Sequence, residues 1–441
     1  MSAPNRRDFL RTSGAAAALG GLTILGAPAR STAQANTVRT AVIGFNSRGQ
    51  DLVRRCLEME DVVITALCDV DSRVLERTVA AVTEKQGTAP TAYTDLRRVM
   101  DDPQVDAVFT ATPNHWHALI GIWACQAGKD SYIEKPACWG VEEGETLVAA
   151  VEKYGRVCQI GHNTTRPNGT ARRAVGRVWN GDLGTAYLSR GLCFKPRGSI
   201  GIKPDDNVPD WLDWDLWQGP AKRRPFSTRY VHYNWHWFFD YGNGDIGNQG
   251  VHQMDQARWF LGRDLPTIVS SSGGRYGYVD DGETPNTQFA TFSYPDGIEI
   301  QFEVRGLPTH DEAGVKIGNL VFGTKGYMSS GDSYRLRGPD GEEVPFVDGT
   351  ELPHVGGAGN DQFQNFIDIV RSRQVDQLNC NAAEGVKSAQ LCALANIAYL
   401  CGRTLNFDPK SMTFPGDAEA NSYLARQESA PGFEVPAPNK V

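Results

Sequence analysis

The stretch from Val38 to Asp69 restricts the fold of this chain more than any other. A short apolar run ends at Gly44, a helical pattern begins at Gly49, and a second apolar run ends on Asp69, about 20 residues later. Glycines let the backbone turn tightly and approach a ligand, while a helix N-terminus attracts phosphate oxygens. An acid at the end of the second strand holds a ribose hydroxyl. The spacing therefore predicts a dinucleotide site.

The middle glycine of the usual G-x-G-x-x-G turn is Asn46 in this sequence. Asparagine tolerates a positive φ better than other non-glycine residues, so the turn survives. An ordinary strand-to-helix turn stays the alternative. The acid repels a 2′-phosphate and favours NAD, although Arg48 and Arg73 are near enough in sequence to leave NADP open. The predicted cofactor residues of this unit are Gly44, Phe45, Asn46, Ser47, Arg48, Gly49 and Asp69.

Residues 1–35 have the pattern of a twin-arginine export signal. Arg6 and Arg7 precede an apolar run from Ala15 to Ala29, and small residues favour cleavage after Ala35. A disordered basic tail is the alternative. Because this export route moves folded proteins, we expect a periplasmic or extracellular enzyme whose cofactor is tightly bound and co-exported. The twin-arginine export machinery is then one of its partners.

Charge and cysteine content restrict the class of protein further. The formal net charge of −8 argues against a nucleic-acid partner. The nine cysteines are an odd number and form no C-x-x-C motif, which indicates folding in a reducing compartment.

The chain divides into two patterns after the export signal. From residue 36 to 162, strand-like and helix-like runs alternate, which predicts a doubly wound parallel sheet, the Rossmann arrangement. Its ligand is expected at the carboxyl ends of the strands. Residues 288–294 and 298–304 instead alternate with period two around a turn. We predict an α/β protein whose second, α+β domain spans 163–441 with a large, mostly antiparallel open sheet. Its last helices are expected to be able to pack back on the first domain.

Three further motifs fall at predicted strand ends or in the second domain. They are Glu134-Lys135-Pro136, Thr112-Pro113-Asn114 with His117, and Gly247-Asn248-Gln-Gly-Val-His252. Together with the glycine turn they resemble the Gfo/Idh/MocA family of glucose–fructose oxidoreductase and inositol dehydrogenase, over essentially the whole mature chain. The resemblance implies cofactor contacts from Thr112, Pro113, Asn114, His117, Glu134 and Lys135.

Lys135, His252 and Asn248 are the predicted catalytic residues. Beside a nicotinamide ring, desolvation lowers a lysine pKa, and the lysine can hydrogen-bond a hydroxyl that becomes a carbonyl. His252 is the candidate base for the hydroxyl proton. The alternatives are a surface ion pair of Lys135 with Glu134 and a structural core histidine. Family members often have Asp where Asn248 stands; Asn orients a hydroxyl or His252 but holds no proton, and Asp245 can partly substitute.

Aromatic and polar residues follow one another from Tyr233 to Gly244. Aromatic faces stack on sugar rings while polar groups bind hydroxyls, although core packing is the commoner use of such a run. The predicted substrate contacts are Lys195, Arg197, His236, Asp240 and Asp245. His115 and His117 form an H-x-H pair with no matching carboxylate, so we predict no metal site.

These features predict an exported NAD(P)-dependent oxidoreductase that acts on a sugar, sugar derivative or polyol. A retained cofactor must be reset on the enzyme, either by a second sugar or, in a redox-assisted glycosidase, by transient oxidation, elimination and re-reduction. A non-catalytic sugar-binding protein is the third interpretation. The resemblance also implies a homo-oligomer, either a dimer or a tetramer.

Overall fold

The computed structural model describes residues 37–441 except 163–164, 332 and 346–349. The predicted export signal lies outside these residues and stays a prediction. Residues Val38–Val441 form one compact unit, so the division after residue 162 also stays a prediction. Among the described helices, none combines the length and the apolar character needed to cross a membrane.

A six-stranded sheet forms the N-terminal part of this unit. Its strand order is β3-β2-β1-β4-β5-β6, and every neighbouring pair is parallel. The strands are β1 Val38–Ile43, β2 Val62–Cys68, β3 Thr91–Tyr93, β4 Ala107–Thr110, β5 Asp130–Glu134 and β6 Cys158–Gly161. The helices are α1 Arg48–Glu58, α2 Ser72–Gln86, α3 Leu96–Asp101, α4 Asn114–Gln126 and α5 Val141–Tyr154. The predicted doubly wound Rossmann sheet is confirmed.

Local sequence accounts for these elements. Asp71 accepts hydrogen bonds from the N–H groups of Arg73 and Val74 and so caps α2, which ends at Gly87 with a left-handed φ of 80°. Strands β4 and β5 are buried at every position, as central strands covered on both faces must be. The strand order reverses between β1 and β4, which opens a crevice at their carboxyl ends.

An eight-stranded sheet follows, in the order β13-β12-β11-β7-β10-β9-β8-β14. Only β7 and β10 pair in parallel, so the predicted mostly antiparallel sheet is confirmed. The strands are β7 Ala186–Cys193, β8 Ile268–Gly274, β9 Thr287–Ser293, β10 Glu299–Arg305, β11 Ile317–Gly323, β12 Gly326–Ser329, β13 Arg335–Arg337 and β14 Leu405–Asn406. The helices are α6 Gly169–Trp179, α7 Trp214–Gln218, α8 Gly244–Asn248, α9 Gly250–Leu261, α10 Gln362–Ser372, α11 Ala382–Cys401 and α12 Ala418–Ser422.

The last long helices return to the parallel sheet. The Phe363 ring of α10 stacks on Tyr132 of β5 at 5.1 Å, and Phe366 meets Phe109 of β4 edge-on at 5.3 Å. The backbone just before α11 forms a bridge to β6. Aromatic packing and backbone pairing thus join the C-terminal helices to the Rossmann sheet, which explains why no separate C-terminal body is seen.

Candidate functional site

A cavity of about 400 Å³ opens where the carboxyl ends of the parallel strands meet the loops of the second sheet. Every predicted cofactor residue except Gly49 lines it: Gly44, Phe45, Asn46, Ser47, Arg48, Asp69, Thr112, Pro113, Asn114, His117, Glu134 and Lys135. Asn248, His252 and His236 also line it. The remaining predicted substrate residues, Lys195, Arg197, Asp240 and Asp245, do not.

The two glycines of the turn have no room for a side chain. Gly44 has φ of 72°, and a Cβ added there would lie 2.7 Å from Thr112 Cγ2. A Cβ on Gly49 would lie only 2.1 Å from the carbonyl oxygen of Gly44. Gly49 therefore belongs to the site as packing beneath the turn, and the N-terminus of α1 stays open toward the cavity, as a bound pyrophosphate requires.

Asp69 ties this turn to the end of β2. Its two carboxylate oxygens accept hydrogen bonds from the N–H groups of Phe45, at 2.9 Å, and Asp71, at 3.0 Å. Burial raises the pKa of Asp69, against these hydrogen bonds. Asp71 beside it pairs with Arg73 at 2.8 Å, and His232 Nε2 lies 3.1 Å from it. Two carboxyl groups thus occupy the edge where an adenosine ribose would lie.

A tryptophan-rich strap, residues 209–217, crosses that edge from the second half of the chain. The Ser72 N–H donates to the Trp211 carbonyl at 2.9 Å, and the Asp213 N–H donates to the Val70 carbonyl at 3.0 Å. The Arg73 guanidinium lies 3.4 Å from the Trp211 ring centre. The sequence analysis did not predict that this segment lies over the end of β2.

Lys135 is partly buried and follows directly after β5. Its Nζ donates to the backbone oxygen of Asn248 at 2.6 Å. Burial lowers the pKa of Lys135, and the positive charge of Arg48 acts in the same direction. Glu134 is paired with Arg48, whose Nε lies 2.9 Å from Glu134 Oε1. Lys135 is therefore a partly buried donor held by a carbonyl, and Glu134 pairs with Arg48.

His252 lies in the first turn of α9 and is buried. Burial lowers its pKa well below the ordinary value, and the charge of Lys135 adds to that effect. Asp245, expected to replace the carboxylate missing at Asn248, instead pairs with Arg197 at 2.7 and 3.0 Å. Arg197 thus bonds both oxygens of the carboxylate that was expected to substitute for the missing one.

An aromatic wall faces Lys135. His236 stacks on Trp235 with 3.6 Å between ring centres, and burial lowers the His236 pKa to about 3. The half-exposed Tyr233 hydroxyl accepts from Arg197 at 3.2 Å and from Asn248 Nδ2 at 3.5 Å. Arg197 thus reaches the cavity only through Tyr233, and sequence reasoning had placed Tyr233 in the aromatic run without a role.

Two predicted or candidate site residues serve the structure in other ways. Asp240 pairs with Arg224 and lines a separate cavity, so its predicted substrate contact does not fit the structure. His117 lies 2.6 Å from the Pro136 carbonyl and 2.8 Å from the Thr112 carbonyl, joining the loops after β4 and β5. His115 faces two other carbonyl oxygens, so these histidines do not converge on a shared ion.

A parallel sheet with a tight glycine turn, a buried acid and a cavity at its strand ends defines a dinucleotide-binding enzyme. Residues 38–162 match the model of the oxidoreductase family, NAD-binding Rossmann fold. Residues 193–433 match that of the oxidoreductase family, C-terminal alpha/beta domain. The chain therefore belongs to the Gfo/Idh/MocA oxidoreductase family.

Known relatives share either part of the sequence or the fold. A glycosyl hydrolase family 109 protein of Saccharopolyspora erythraea is 32% identical over 176 residues, 35% of this chain and 38% of that protein. One of Shewanella pealeana is 30% identical over 182 residues, 36% and 39% respectively. The chain thus spans under two-fifths of the length of these relatives.

Solved structures cover more of the chain at lower identity. The WlbA dehydrogenase from Bordetella pertussis, in complex with NADH and UDP-GlcNAcA, has a TM-score of 0.63 at 18% identity and covers 84% of this chain and 99% of its own. The aldose–aldose oxidoreductase from Caulobacter crescentus, complexed with glycerol, has a TM-score of 0.58 at 19% identity, covering 84% and 100%. At such identities the likeness establishes the fold.

Proposed function

We propose that this chain is an exported oxidoreductase that retains NAD and acts on a sugar, sugar derivative or polyol. The observation that carries the proposal is that a partly buried lysine, Lys135, and a buried histidine, His252, line one cavity beside the glycine turn. Relatives of the same fold that were crystallised with a sugar nucleotide or glycerol support this substrate class.

The charges around the turn favour NAD over NADP. Asp69 and Asp71 place two carboxyl groups at the end of β2, where a 2′-phosphate would be repelled. The two arginines that left NADP open already have partners. Arg48 pairs with Glu134, and Arg73 pairs with Asp71. Neither guanidinium is free to bind a phosphate without breaking a carboxylate pair.

The strap supports retention of the cofactor. Its backbone is hydrogen-bonded to residues 70–72, just after the end of β2. Leu216 and Trp217 form part of the cavity wall. A dinucleotide in the cavity would be enclosed on its adenosine side by this segment. Retention is what an exported enzyme requires, since free nicotinamide cofactor is essentially confined to the cytoplasm.

The residues on the cavity can divide the work of alcohol oxidation. Bound NAD supplies a hydride acceptor that later returns the hydride. His252, kept neutral by burial, accepts the hydroxyl proton. The Lys135 ammonium donates a hydrogen bond to the developing carbonyl oxygen. His236 and Tyr233 offer ring faces and polar atoms to the sugar.

A redox-assisted glycosidase is the second candidate, favoured by the glycosyl hydrolase family 109 names of the curated relatives. In that reaction the sugar is oxidised, loses its glycosidic group by elimination and is reduced again. The two candidates differ in their products. Release of the aglycone from a glycoside with no net NADH supports the glycosidase, whereas oxidation of one sugar with reduction of another supports the oxidoreductase.

The first experiment is to purify the mature protein without added cofactor, denature it, and identify the released small molecules by mass spectrometry. Stoichiometric NAD(H) supports the proposal. A protein that is empty and fails to bind added NAD or NADP refutes it and favours a sugar-binding protein.

Lys135→Met tests the assignment of the lysine. It should abolish turnover while the protein stays folded with its cofactor, because the carbonyl oxygen loses its cationic donor. Lys129→Met is the matched control, since Lys129 is buried and donates to the carbonyls of Asp102 and Val105, away from the cavity. Turnover retained in Lys135→Met would contradict the assignment.

Export and assembly complete the proposal. The signal in residues 1–35 predicts that the protein is recovered in the periplasmic fraction or medium and that replacing both Arg6 and Arg7 by lysine keeps it inside the cell. The proposed assembly is a homo-dimer or homo-tetramer, which light scattering of the mature protein measures.

A further inference from the structure

His162, a fully buried histidine immediately after β6, has no part in the function proposed so far. Its side chain is completely inaccessible to solvent, and neither ring nitrogen has a hydrogen-bond partner among the residues that the structure describes. Buried imidazoles normally satisfy at least one nitrogen, because an unmade hydrogen bond in the interior is costly. An unsatisfied pair of nitrogens therefore calls for a functional explanation.

The surroundings of His162 place it between the candidate base and a fixed negative charge. Its ring meets that of His252 edge-to-face, with 5.5 Å between centres. On the other side, its Nδ1 lies 3.8 Å from Asp255 Oδ2. The order His252, His162, Asp255 thus runs inward from the cavity wall.

Asp255 is held as a carboxylate. Both of its oxygens accept from Arg166, at 2.7 and 2.8 Å, and Ser388 donates to it at 2.8 Å. The charge of Arg166 lowers the pKa of Asp255 although burial opposes it. The other charged or titratable groups facing the two histidines are Lys135, Arg48, Arg258 and Cys380, with Glu384 behind Arg166 and Arg258.

A metal ion is the first alternative, because ligand atoms of His162, Asp255 and Cys380 all lie within 4.8 Å of one another. However, the guanidinium of Arg166 already bonds both oxygens of Asp255, and Arg258 brings a second positive charge nearby. A divalent metal ion would have to displace the Arg166 guanidinium while the positive charge of Arg258 repelled it. The positive surroundings therefore argue against a metal ion at these three residues.

We propose that His162 and Asp255 hold the proton that His252 takes from the substrate hydroxyl, and return it when the substrate is reduced again. In the oxidising step the C–H bond gives its electron pair and hydrogen to NAD, while the O–H proton moves to His252. The imidazolium passes this proton to the neutral His162, whose Nδ1 lies 3.8 Å from Asp255 Oδ2. The inference rests on the proposed function, in which one active site oxidises and reduces without releasing the cofactor.

The surroundings of the two histidines show why His252 needs a partner to hold the proton. Burial lowers the pKa of His162 to about 4 despite the charge of Asp255, so His162 is neutral when the substrate binds and can both accept and donate. A proton on His252 alone would be unfavourable, since burial and Lys135 both oppose it. Asn248 holds no proton. Asp255 is the carboxylate whose oxygen lies 3.8 Å from His162 Nδ1, and its fixed negative charge favours a positive His162.

The test is an NMR titration of the cofactor-bound protein labelled with 13C and 15N at its eight histidines. In the native protein, His162 and His252 should titrate together in a transition that binds one proton for the pair. In His162→Phe, which keeps a ring of similar shape, the His252 transition should move about one unit to lower pH, a tenfold weaker proton affinity. His115→Phe is the matched control: the ring nitrogens of this buried histidine face the carbonyls of Tyr241 and Trp217, and its loss should leave His252 unchanged.

Two outcomes would overturn the inference. One is independent titration of His162 and His252 in the native protein, which decides the question even if His162→Phe does not fold. The other is a His252 transition that stays in place or moves to higher pH in His162→Phe. Neither readout needs a substrate. If the two histidines titrate as a coupled pair but no activity is found, the proposed function is refuted while the coupling of the pair stands. Where turnover is measurable, His162→Phe should lower kcat more than it changes KM.

Discussion

The substitution Gly49→Ala tests whether the glycine turn is built for a dinucleotide. The added Cβ would lie 2.1 Å from the Gly44 carbonyl oxygen and 2.9 Å from Phe45 Cβ. The first of these is a backbone atom, so the turn itself must move. Overpacking of this kind destabilises a protein by about 1–3 kcal/mol. Alanine stabilises a helix relative to glycine by up to about 1 kcal/mol, which does not offset that cost. If this cost falls on the NAD-bound form of the protein, the NAD affinity falls about 5- to 150-fold.

The assay is calorimetric titration of NAD into protein stripped of cofactor, with the melting temperature measured on the same samples. Gly198→Ala is the matched control, because nothing lies within 4 Å of a Cβ added there and the backbone is not left-handed. We expect the control to match the native protein in both measurements. Native-like NAD affinity in a folded Gly49→Ala protein would refute the close approach of backbone to pyrophosphate on which the site was assigned.

Two more perturbations test the interior and the strap. His117 and His162 have pKa values lowered to about 4 by burial, so the unfolded chain, with histidine pKa about 6.5, binds more protons between those values. Urea denaturation should therefore show stability that is full above pH 6.5 and falls as pH drops toward 4, by up to about 1.4 kcal/mol per pH unit for each histidine; a flat profile would contradict their neutrality. Trp211→Ala removes the ring under Arg73. The lost cation–π contact is worth about 0.5–2 kcal/mol, so NAD dissociation, measured by stopped-flow displacement, should become about 2- to 30-fold faster. An unchanged rate would show that the strap does not retain the cofactor.

The parts of the fold that could be predicted are those that repeat along the sequence. Alternating strand and helix patterns and the period-two hairpin of β9 and β10 gave the two sheets with boundaries close to those observed. Elsewhere the pattern is harder to read: residues Gly326–Ser329 and Arg335–Arg337 form two strands, β12 and β13, separated near Gly331. An apolar pattern interrupted by one glycine does not reveal whether hydrogen bonding to the neighbouring strand continues through it.

The cofactor half of the site was predictable for the same reason, since parallel strands bring their carboxyl ends to one edge. The substrate half was not, because it depends on which charges meet across the fold. Arg197 and Asp245 are separated by 48 positions and neutralise each other, and Arg224 does the same to Asp240. His162 follows the end of β6, so the rule that located Lys135 was also able to find it, but only the distance to Asp255 gives it a role.

The position of Lys135 shows how backbone geometry can matter more than side-chain identity. In an uninterrupted helix the N–H of His252 would bond to the carbonyl of Asn248, four residues earlier. Here the helix breaks between α8 and α9, and that N–H bonds to Gln249 instead, at 3.2 Å. The carbonyl of Asn248 is thereby released to accept from Lys135 Nζ. Because a carbonyl oxygen is present whatever the side chain, an asparagine in place of the aspartate that the resemblance implies at position 248 leaves out a carboxylate without removing the anchor of Lys135.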